Sequence, residues 1–105
     1  MTYAVYTTGR FEKEIEKLSE LDKEIISKII IKLKDNPYVG DSIRYNFFRE
    51  KRIREKRFYF LVYDDLSAIL VVAFSGKKAQ QDTIDEIISL LPEYKKYIEQ
   101  LLLYK

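Results

Sequence analysis

The stretch FYFLVYDDLSAILVVAF, residues 58–74, decides the fold. Both of its halves are rich in aromatic and β-branched residues, which are typical of strands. Residues 64–67 between them, Asp-Asp-Leu-Ser, have the composition of a turn. The second half, residues 68–74, is almost continuously apolar, which predicts the most buried strand of the protein. The stretch therefore predicts two neighbouring antiparallel strands joined by an acidic turn.

Upstream of this stretch, the pattern predicts a strand, two helices and a further strand. The first strand covers residues 3–7, and helices follow at about 8–20, with Thr8 as a possible N-cap, and at about 22–35, begun by Ser19 or Asp22. Asn36-Pro37 ends the second helix, because a residue before proline avoids the α region. The two helices are expected to pair as an antiparallel hairpin. Residues 43–48 alternate with period two and predict the next strand.

Downstream of residue 74, the apolar spacing becomes helical again. Thr83 is a candidate cap for a third helix, and Pro92 interrupts it or starts a new turn. The final helix is predicted from Glu93 to Tyr104, with an apolar stripe that includes Ile98, Leu101 and Leu102. That stripe either packs on the core of this chain or receives a partner.

The order of elements is thus β-α-α-β-β-β-α(α), which predicts an α+β fold. We expect one domain over residues 1–105, with a C-terminal helical extension from about residue 92. The helices are expected to pack on one face of a twisted antiparallel sheet, which leaves the other face for a ligand.

The composition excludes several kinds of chemistry. The 105 residues include no cysteine and no histidine, so disulfides, thiolate ligands and the commonest general base are absent. We expect no metal site and no cofactor. No stretch is long and apolar enough to span a membrane, and no signal pattern opens the sequence, so the expected location is the cytoplasm.

The positive charge is concentrated in one segment although the net charge is only +2. Residues 49–57, Arg-Glu-Lys-Arg-Ile-Arg-Glu-Lys-Arg, contain six cations and are flanked by aromatic residues on both sides. Cations that neutralise phosphates beside rings that stack on bases are what single-stranded nucleic acid requires. Strand alternation places Arg52 and Arg54 on a shared face. The alternative is a solvated edge hairpin whose charge prevents pairing between sheets.

A second basic segment follows the buried strand. Residues 75–81, Ser-Gly-Lys-Lys-Ala-Gln-Gln, place Lys77 and Lys78 beside Gly76 and ahead of a helix. Glycine allows a phosphate to approach the backbone, and a helix N-terminus adds partial positive charge. The alternative is an ordinary strand-to-helix turn.

Together these motifs resemble the RelE/ParE superfamily of toxin–antitoxin toxins, in an archaeal-like RelE branch. The resemblance covers residues 3–88 and rests on the order of the elements and on three segments: LKDNP at 33–37, RFYFLVY at 57–63 with its acidic turn, and VAFSGKK at 72–78. It implies a helical hairpin on an antiparallel sheet and, in the RelE branch, cleavage of mRNA on the ribosome. There the ribose 2′-hydroxyl attacks the adjacent phosphate, without histidine or metal.

The resemblance also implies roles for individual residues. Arg52, Arg54 and Lys78 fall at or near catalytic positions, where lysines, arginines and a tyrosine act in the family. The predicted RNA-binding residues are Arg49, Lys51, Lys56, Arg57, Tyr59 and Lys77. Phe60 stands where the family has a functional arginine, and Ile84 where it has a tyrosine.

Three functions remain open from the sequence. The first is a RelE-like toxin that acts on ribosome-bound mRNA and is held by a RelB-like antitoxin, with no membrane involved. The second is a family member that does not cleave RNA, either a ParE-like gyrase poison or a degenerate toxin that only binds its antitoxin. The third is an interaction module whose basic run is a solvated surface.

Overall fold

The computed structural model describes residues 2–103, and this part of the chain forms four α-helices, a short 3-10 helix (Asp64–Leu66) and a five-stranded sheet. The elements in chain order are β1 (Ala4–Thr7), α1 (Gly9–Glu16), α2 (Glu20–Leu33), β2 (Asp41–Ile43), β3 (Tyr45–Ile53), β4 (Lys56–Tyr63), β5 (Ala68–Gly76), α3 (Gln80–Ser89) and α4 (Leu91–Leu103). The α+β class and the predicted order are confirmed, with the short strand β2 as an addition. Tyr104, the last residue of the predicted final helix, lies outside the described residues.

Hydroxyl side chains begin the first two helices. The Thr8 Oγ1 accepts a hydrogen bond from the Phe11 amide at 3.1 Å, as the sequence predicted, and donates one to the Val72 carbonyl at 2.8 Å. Ser19, rather than Asp22, caps α2, because its Oγ accepts from the Asp22 amide at 3.2 Å. These bonds satisfy amide groups that a helix N-terminus leaves without partners.

Thr83 does not cap a helix, so that prediction is wrong. Helix α3 begins earlier, at Gln80, and the Thr83 amide donates to the Ala79 carbonyl at 2.9 Å as part of the first turn. The Thr83 side chain is buried because it lies on the same part of the helix as Ile84 and Ile87, which pack on the sheet. The loop between β5 and α3 is therefore short, and its cations lie close to the end of β5.

The sheet has the strand order β1-β5-β4-β3-β2 and is mixed rather than purely antiparallel. Strand β1 pairs with β5 in parallel, from Ala4 opposite Ala68 to Thr7 opposite Val71, whereas the other pairs are antiparallel. A parallel pair needs a long crossover connection. The helices α1 and α2 and the three strands β2, β3 and β4, which lie between β1 and β5 in the sequence, supply it.

Helices cover both faces of the sheet, so the prediction of helices on one face and an open second face is wrong. Phe58, Phe60 and Val62 point toward α1 and α2 and pack with Phe11, Ile26 and Leu33. The alternate β4 residues Tyr59, Leu61 and Tyr63 point toward α3 and α4 and pack with Ile84, Ile87 and Ile98. Because β4 and β5 carry apolar side chains on both faces, each face needs a cover.

The apolar stripe of α4 packs on the core of this chain. Ile98 is fully buried, and Leu101 and Leu102 contact the same cluster. This outcome decides between the two alternatives that the sequence left open for the stripe. Across residues 2–103, none of the helices is long and apolar enough to cross a membrane.

Candidate nucleic-acid interface

The two basic segments of the sequence lie side by side at one end of the sheet. Strands β4 and β5 pair in a register that puts Lys56 opposite Gly76. The tip of the β3–β4 hairpin therefore meets the loop that leads from β5 to α3. Between them lies an open groove of about 780 Å³, lined by Arg52, Arg54, Glu55, Lys56, Gly76, Lys77, Lys78 and Ala79.

The lining of this groove is strongly cationic. It contains five lysine or arginine side chains and a single carboxylate, that of Glu55. All five cations belong to residues that are exposed to solvent. Arg52, Arg54 and Lys78, which come from two distant segments of the sequence, thus converge on one surface. We call this surface the basic groove.

Arg54 reaches the basic groove from a turn and not from a strand. Its backbone has a φ of 59°, in the left-handed region, and its guanidinium Nη1 lies 3.6 Å from the Asp22 Oδ1 at the start of α2. The expectation that Arg54 shares a strand face with Arg52 is therefore wrong, because β3 ends at Ile53. The hairpin tip instead places Arg54 at the part of the groove nearest to α2, beside Asp22.

Arg49 has a structural position rather than a place in the basic groove. It is buried, and its guanidinium donates to the carbonyl oxygens of Val39 at 3.2 Å, Tyr38 at 3.1 Å and Gly40 at 3.0 Å. It also lies over the Tyr38 ring, 5.4 Å from the centroid. Since these contacts use its donors, the prediction that Arg49 binds RNA is not supported. Its guanidinium fixes the loop between α2 and β2.

Tyr59 is also a core residue. Its ring is fully buried, and its hydroxyl lies 3.0 Å from the Ser75 Oγ. The pKa of the Tyr59 hydroxyl is raised, mainly because the side chain is buried. A ring enclosed in this way offers no surface to a base, so the predicted stacking role of Tyr59 is not supported.

Lys51 and Arg57 occupy opposite faces of the hairpin. Lys51 is partly exposed and pairs with Phe58, whose side chain points toward α1 and α2, away from the face that carries Arg52. Arg57 lies directly opposite Arg52 and shares its face, but it is buried and approaches Glu50, with 3.7 Å between Nε and Oε2. Of these two predicted RNA-binding residues, only Arg57 adjoins the basic groove.

Phe60 and Ile84, the two departures from the toxin pattern, are both packing residues. Phe60 is fully buried on the face of α1 and α2, with its ring centroid 5.8 Å from that of Phe58. Ile84 belongs to the cluster on the opposite face. Neither position adjoins the basic groove. Arg57, in contrast, has its guanidinium on the face that carries Arg52.

Two other features bear on the chemistry. Tyr94 of α4 is half-buried near Arg10, Glu86 and Glu14, and burial raises its pKa. It does not line the basic groove. Within residues 2–103, no group of three or more carboxylates is arranged to hold a metal ion. The lining of the basic groove offers cations, one carboxylate and backbone groups.

Known proteins resemble this chain in three-dimensional structure but not in overall sequence. No protein-family model matches the sequence, and no curated protein sequence is significantly similar to it.

Solved structures are similar to this chain over most of its length. One is a free mutant of the E. coli toxin RelE, with a TM-score of 0.68, 18% identity, and coverage of 83% of this chain and 99% of that chain. Another is the archaeal RelE–RelB complex from Pyrococcus horikoshii, with a TM-score of 0.63, 16% identity, and coverage of 73% and 97%. A third is the RelBE2 toxin–antitoxin complex of Mycobacterium tuberculosis, with a TM-score of 0.65, 16% identity, and coverage of 73% and 100%.

These similarities confirm that the chain has the RelE/ParE fold. At such low identity they show the fold alone.

Proposed function

We propose that this protein is the toxin of a type II toxin–antitoxin system and that it cleaves mRNA on the ribosome, in the manner of RelE. The observation that carries the proposal is the convergence of Arg52, Arg54 and Lys78 in one exposed groove whose lining contains five cations and one carboxylate. Such a groove fits the phosphate backbone of a single RNA strand, because each phosphate carries a negative charge. Since the ribosome is the target, the protein would act in the cytoplasm.

The reaction that fits this groove is attack by a ribose 2′-hydroxyl on the adjacent phosphate. The oxygen of that hydroxyl forms a bond to phosphorus, the bond to the 5′-oxygen of the next nucleotide breaks, and a 2′,3′-cyclic phosphate remains. The departing 5′-oxygen takes up a proton from the water in the open groove and leaves as a hydroxyl. Negative charge develops on the phosphoryl oxygens during this step, and preorganised cations stabilise it. We assign that role to Arg52, Arg54 and Lys78.

The hydroxyl proton needs an acceptor, and the chain has no histidine to provide one. Of the two lysines in the basic run, Lys56 is among the residues that line the groove, and Lys51 is not. We therefore assign the base to Lys56. A Lys56→Arg variant tests this assignment, because it keeps a cationic side chain but replaces an amine, which can act as a base, with a guanidinium, which cannot. It should bind RNA as the wild type does and cleave it much more slowly.

The experiment that tests the function is expression of the chain without an antitoxin, followed by mapping of mRNA 5′ ends. Cuts in phase with codons are expected for the wild type and not for an Arg54→Ala, Lys78→Ala double variant. Lys95→Ala is the matched control, because Lys95 pairs with Asp65 beyond the opposite end of β4. Intact mRNA and unchanged growth with the wild type would refute the proposal.

A protein of this fold that does not cleave RNA is the second candidate. It is favoured by one observation, that Phe60 and Ile84 are buried packing residues where the toxin pattern has an arginine and a tyrosine. A general acid must reach the leaving oxygen, and Ile84 cannot serve. Inhibition of gyrase supercoiling by the purified protein, with no change in mRNA, would support this alternative. If neither activity occurs, binding to an antitoxin alone remains.

An antitoxin is the partner that the proposal requires. The Pyrococcus and Mycobacterium structures similar to this chain are complexes of toxin and antitoxin. We therefore propose a RelB-like partner for this chain, encoded by a short acidic reading frame directly beside its own. Co-expression of the two chains should suppress toxicity, and the two should purify together.

A further inference from the structure

Two arginines face each other beside the basic groove. Arg52 of β3 and Arg57 of β4 are directly opposite in the antiparallel register, so their side chains share one face. Like charges in directly opposite positions of a sheet destabilise the pair. The arrangement is therefore unfavourable unless an anion lies between or beside the two guanidinium groups.

Arg57 is almost completely withdrawn from water yet is not fully hydrogen-bonded. Its exposed fraction is 9%, and among residues 2–103 its buried Nη1 has no hydrogen-bond partner. A buried donor without an acceptor costs about 1–3 kcal/mol, and more when the group is charged. An oxyanion placed at Nη1 would remove that cost. Two hydroxyl groups, those of Tyr59 and Ser75, lie next to Arg57 on this face, but they bond to each other and not to Nη1.

In the free protein, the Glu50 carboxylate is the anion beside Arg57, but its distance from the guanidinium is not that of a hydrogen-bonded pair. Its Oε2 lies 3.7 Å from the Arg57 Nε, which is too far for a hydrogen bond, and this oxygen is also buried without a partner in the described part of the chain. A closed arginine–carboxylate pair has two parallel bonds at about 2.7–2.9 Å. The Glu50–Arg57 contact therefore neutralises charge without using the fork of the guanidinium.

From this geometry we infer that Arg52 and Arg57 form a phosphate subsite continuous with the basic groove, and that the Glu50 carboxylate occupies this subsite until RNA displaces it. The inference rests on the proposed function, because RNA is its ligand. Glu50 is a positioning residue: it holds Arg57 in place and competes with the phosphate. One phosphate oxygen would accept from Nη1 of Arg57, and the Glu50 side chain would turn to solvent, where 18% of its surface is already exposed.

The test compares Glu50→Gln with Glu55→Gln in binding to a short single-stranded 2′-O-methyl RNA, which lacks the attacking hydroxyl and is not cleaved. Both variants lose one negative charge near the basic groove, but Glu55 lies exposed on the hairpin tip. We expect Glu50→Gln to bind RNA about tenfold more tightly than the wild type, which corresponds to about 1.4 kcal/mol. Glu55→Gln should gain less, because it changes only the general field of the groove.

A stability measurement covers the case in which Glu50→Gln folds poorly. The free variant should have a lower melting temperature than the wild type, because Arg57 is left as a buried charge without its counter-ion. Inorganic phosphate should raise that temperature more in Glu50→Gln than in the wild type, since a ligand that binds the folded state stabilises it. Glu50→Asp provides a second variant, which keeps the charge but withdraws it from Arg57 and should also bind RNA more tightly than the wild type.

The outcomes separate this inference from the proposed function. If the wild type shows no salt-dependent binding to RNA, the proposed function fails and the subsite fails with it. If the wild type binds RNA but Glu50→Gln gains no more than Glu55→Gln, only the inference about Glu50 is overturned. Weaker binding by a folded Glu50→Gln protein would also overturn it, because Glu50 would then support the RNA rather than compete with it.

Discussion

Lys56 of β4 lies opposite Gly76 of β5, and this pairing joins the two basic segments into one groove. Lys56 and Gly76 are 20 positions apart in the sequence, but the antiparallel pairing of β4 with β5 places them side by side. Because Gly76 carries no side chain, its backbone remains exposed between the cations on either side. The local charge is therefore set by strand register, although the chain as a whole carries only +2.

Removal of one groove lysine should change the salt dependence of RNA binding. We expect Lys78→Ala to weaken binding and to reduce the slope of log K against log salt by about 0.7, as for one lost phosphate contact on a single strand. Lys95→Ala removes the same charge beyond the other end of β4 and should leave the slope unchanged. Fluorescence anisotropy at several salt concentrations measures both. Equal slopes for Lys78→Ala and the wild type would place Lys78 outside the RNA contact.

Arg49 should act on stability and not on RNA binding. Arg49→Lys keeps the charge but loses the fork that donates to the Tyr38, Val39 and Gly40 carbonyls. We expect the free energy of unfolding to fall by about 2–3 kcal/mol, because carbonyl groups around a buried charge lose their donors. Urea denaturation measures this change. Lys51→Ala, two residues along the same strand, should alter stability by less than about 0.5 kcal/mol.

Much of the fold was predictable because it depends on local patterns. The apolar run at residues 68–74 and the Thr8 cap depend on neighbours in the sequence, and both predictions hold. The parallel pairing of β1 with β5 depends on contacts across more than 60 residues, which periodicity does not encode. The sequence did not predict that α3 and α4 pack on the second face of the sheet. Their amphipathic pattern shows that they pack on the sheet, but it is the same for either face.

The candidate site was predictable in its location but not in its members. The charge of residues 49–57 indicated where a candidate polyanion site lies, but alternation along a hairpin sends neighbouring cations to different environments. Arg49 turns inward to carbonyl groups, Lys51 lies on the far face, and Arg54 sits in the turn with a positive φ. All three residues are basic, and the sequence alone does not show that they differ in environment. The difference comes from their positions in the strand register and in the turn.

The hydroxyl of Tyr59 should contribute to stability and leave RNA binding intact. Tyr59→Phe removes the contact with the Ser75 Oγ at 3.0 Å inside the core. We expect a loss of about 1 kcal/mol in the free energy of unfolding, the usual net contribution of one hydrogen bond. Tyr45→Phe, at an exposed ring, is the control and should cause no measurable loss. A large fall in RNA affinity with Tyr59→Phe, at unchanged stability, would restore Tyr59 to the interface.

Asp64 links two tyrosines at the end of the sheet opposite the basic groove. These contacts predict that the stability of the protein depends on pH. Its Oδ1 accepts from the Tyr3 hydroxyl at 2.7 Å, and its Oδ2 accepts from the Tyr38 hydroxyl. The bond from Tyr38, followed by that from Tyr3, lowers the pKa of Asp64. Burial, together with the bond to Asp64, raises the pKa of Tyr38 to about 12. The neutral hydroxyls and the ionised carboxylate therefore favour each other in the folded state.

Because the pKa of Asp64 is lowered in the folded state, its contribution to stability decreases as the pH falls. In the unfolded chain an aspartate titrates near pH 3.9, so its contribution to stability is complete above that pH and is lost as pH falls through the lower pKa of the folded state. The difference in unfolding free energy between the wild type and Asp64→Asn should therefore shrink as pH falls below about 4. Urea denaturation at a series of pH values measures it, with Asp65→Asn as the control, because the Asp65 carboxylate pairs with Lys95 rather than with the two tyrosine hydroxyls. A difference between wild type and Asp64→Asn that stays constant down to the acid limit would show that the tyrosine bonds do not depend on the charge of Asp64.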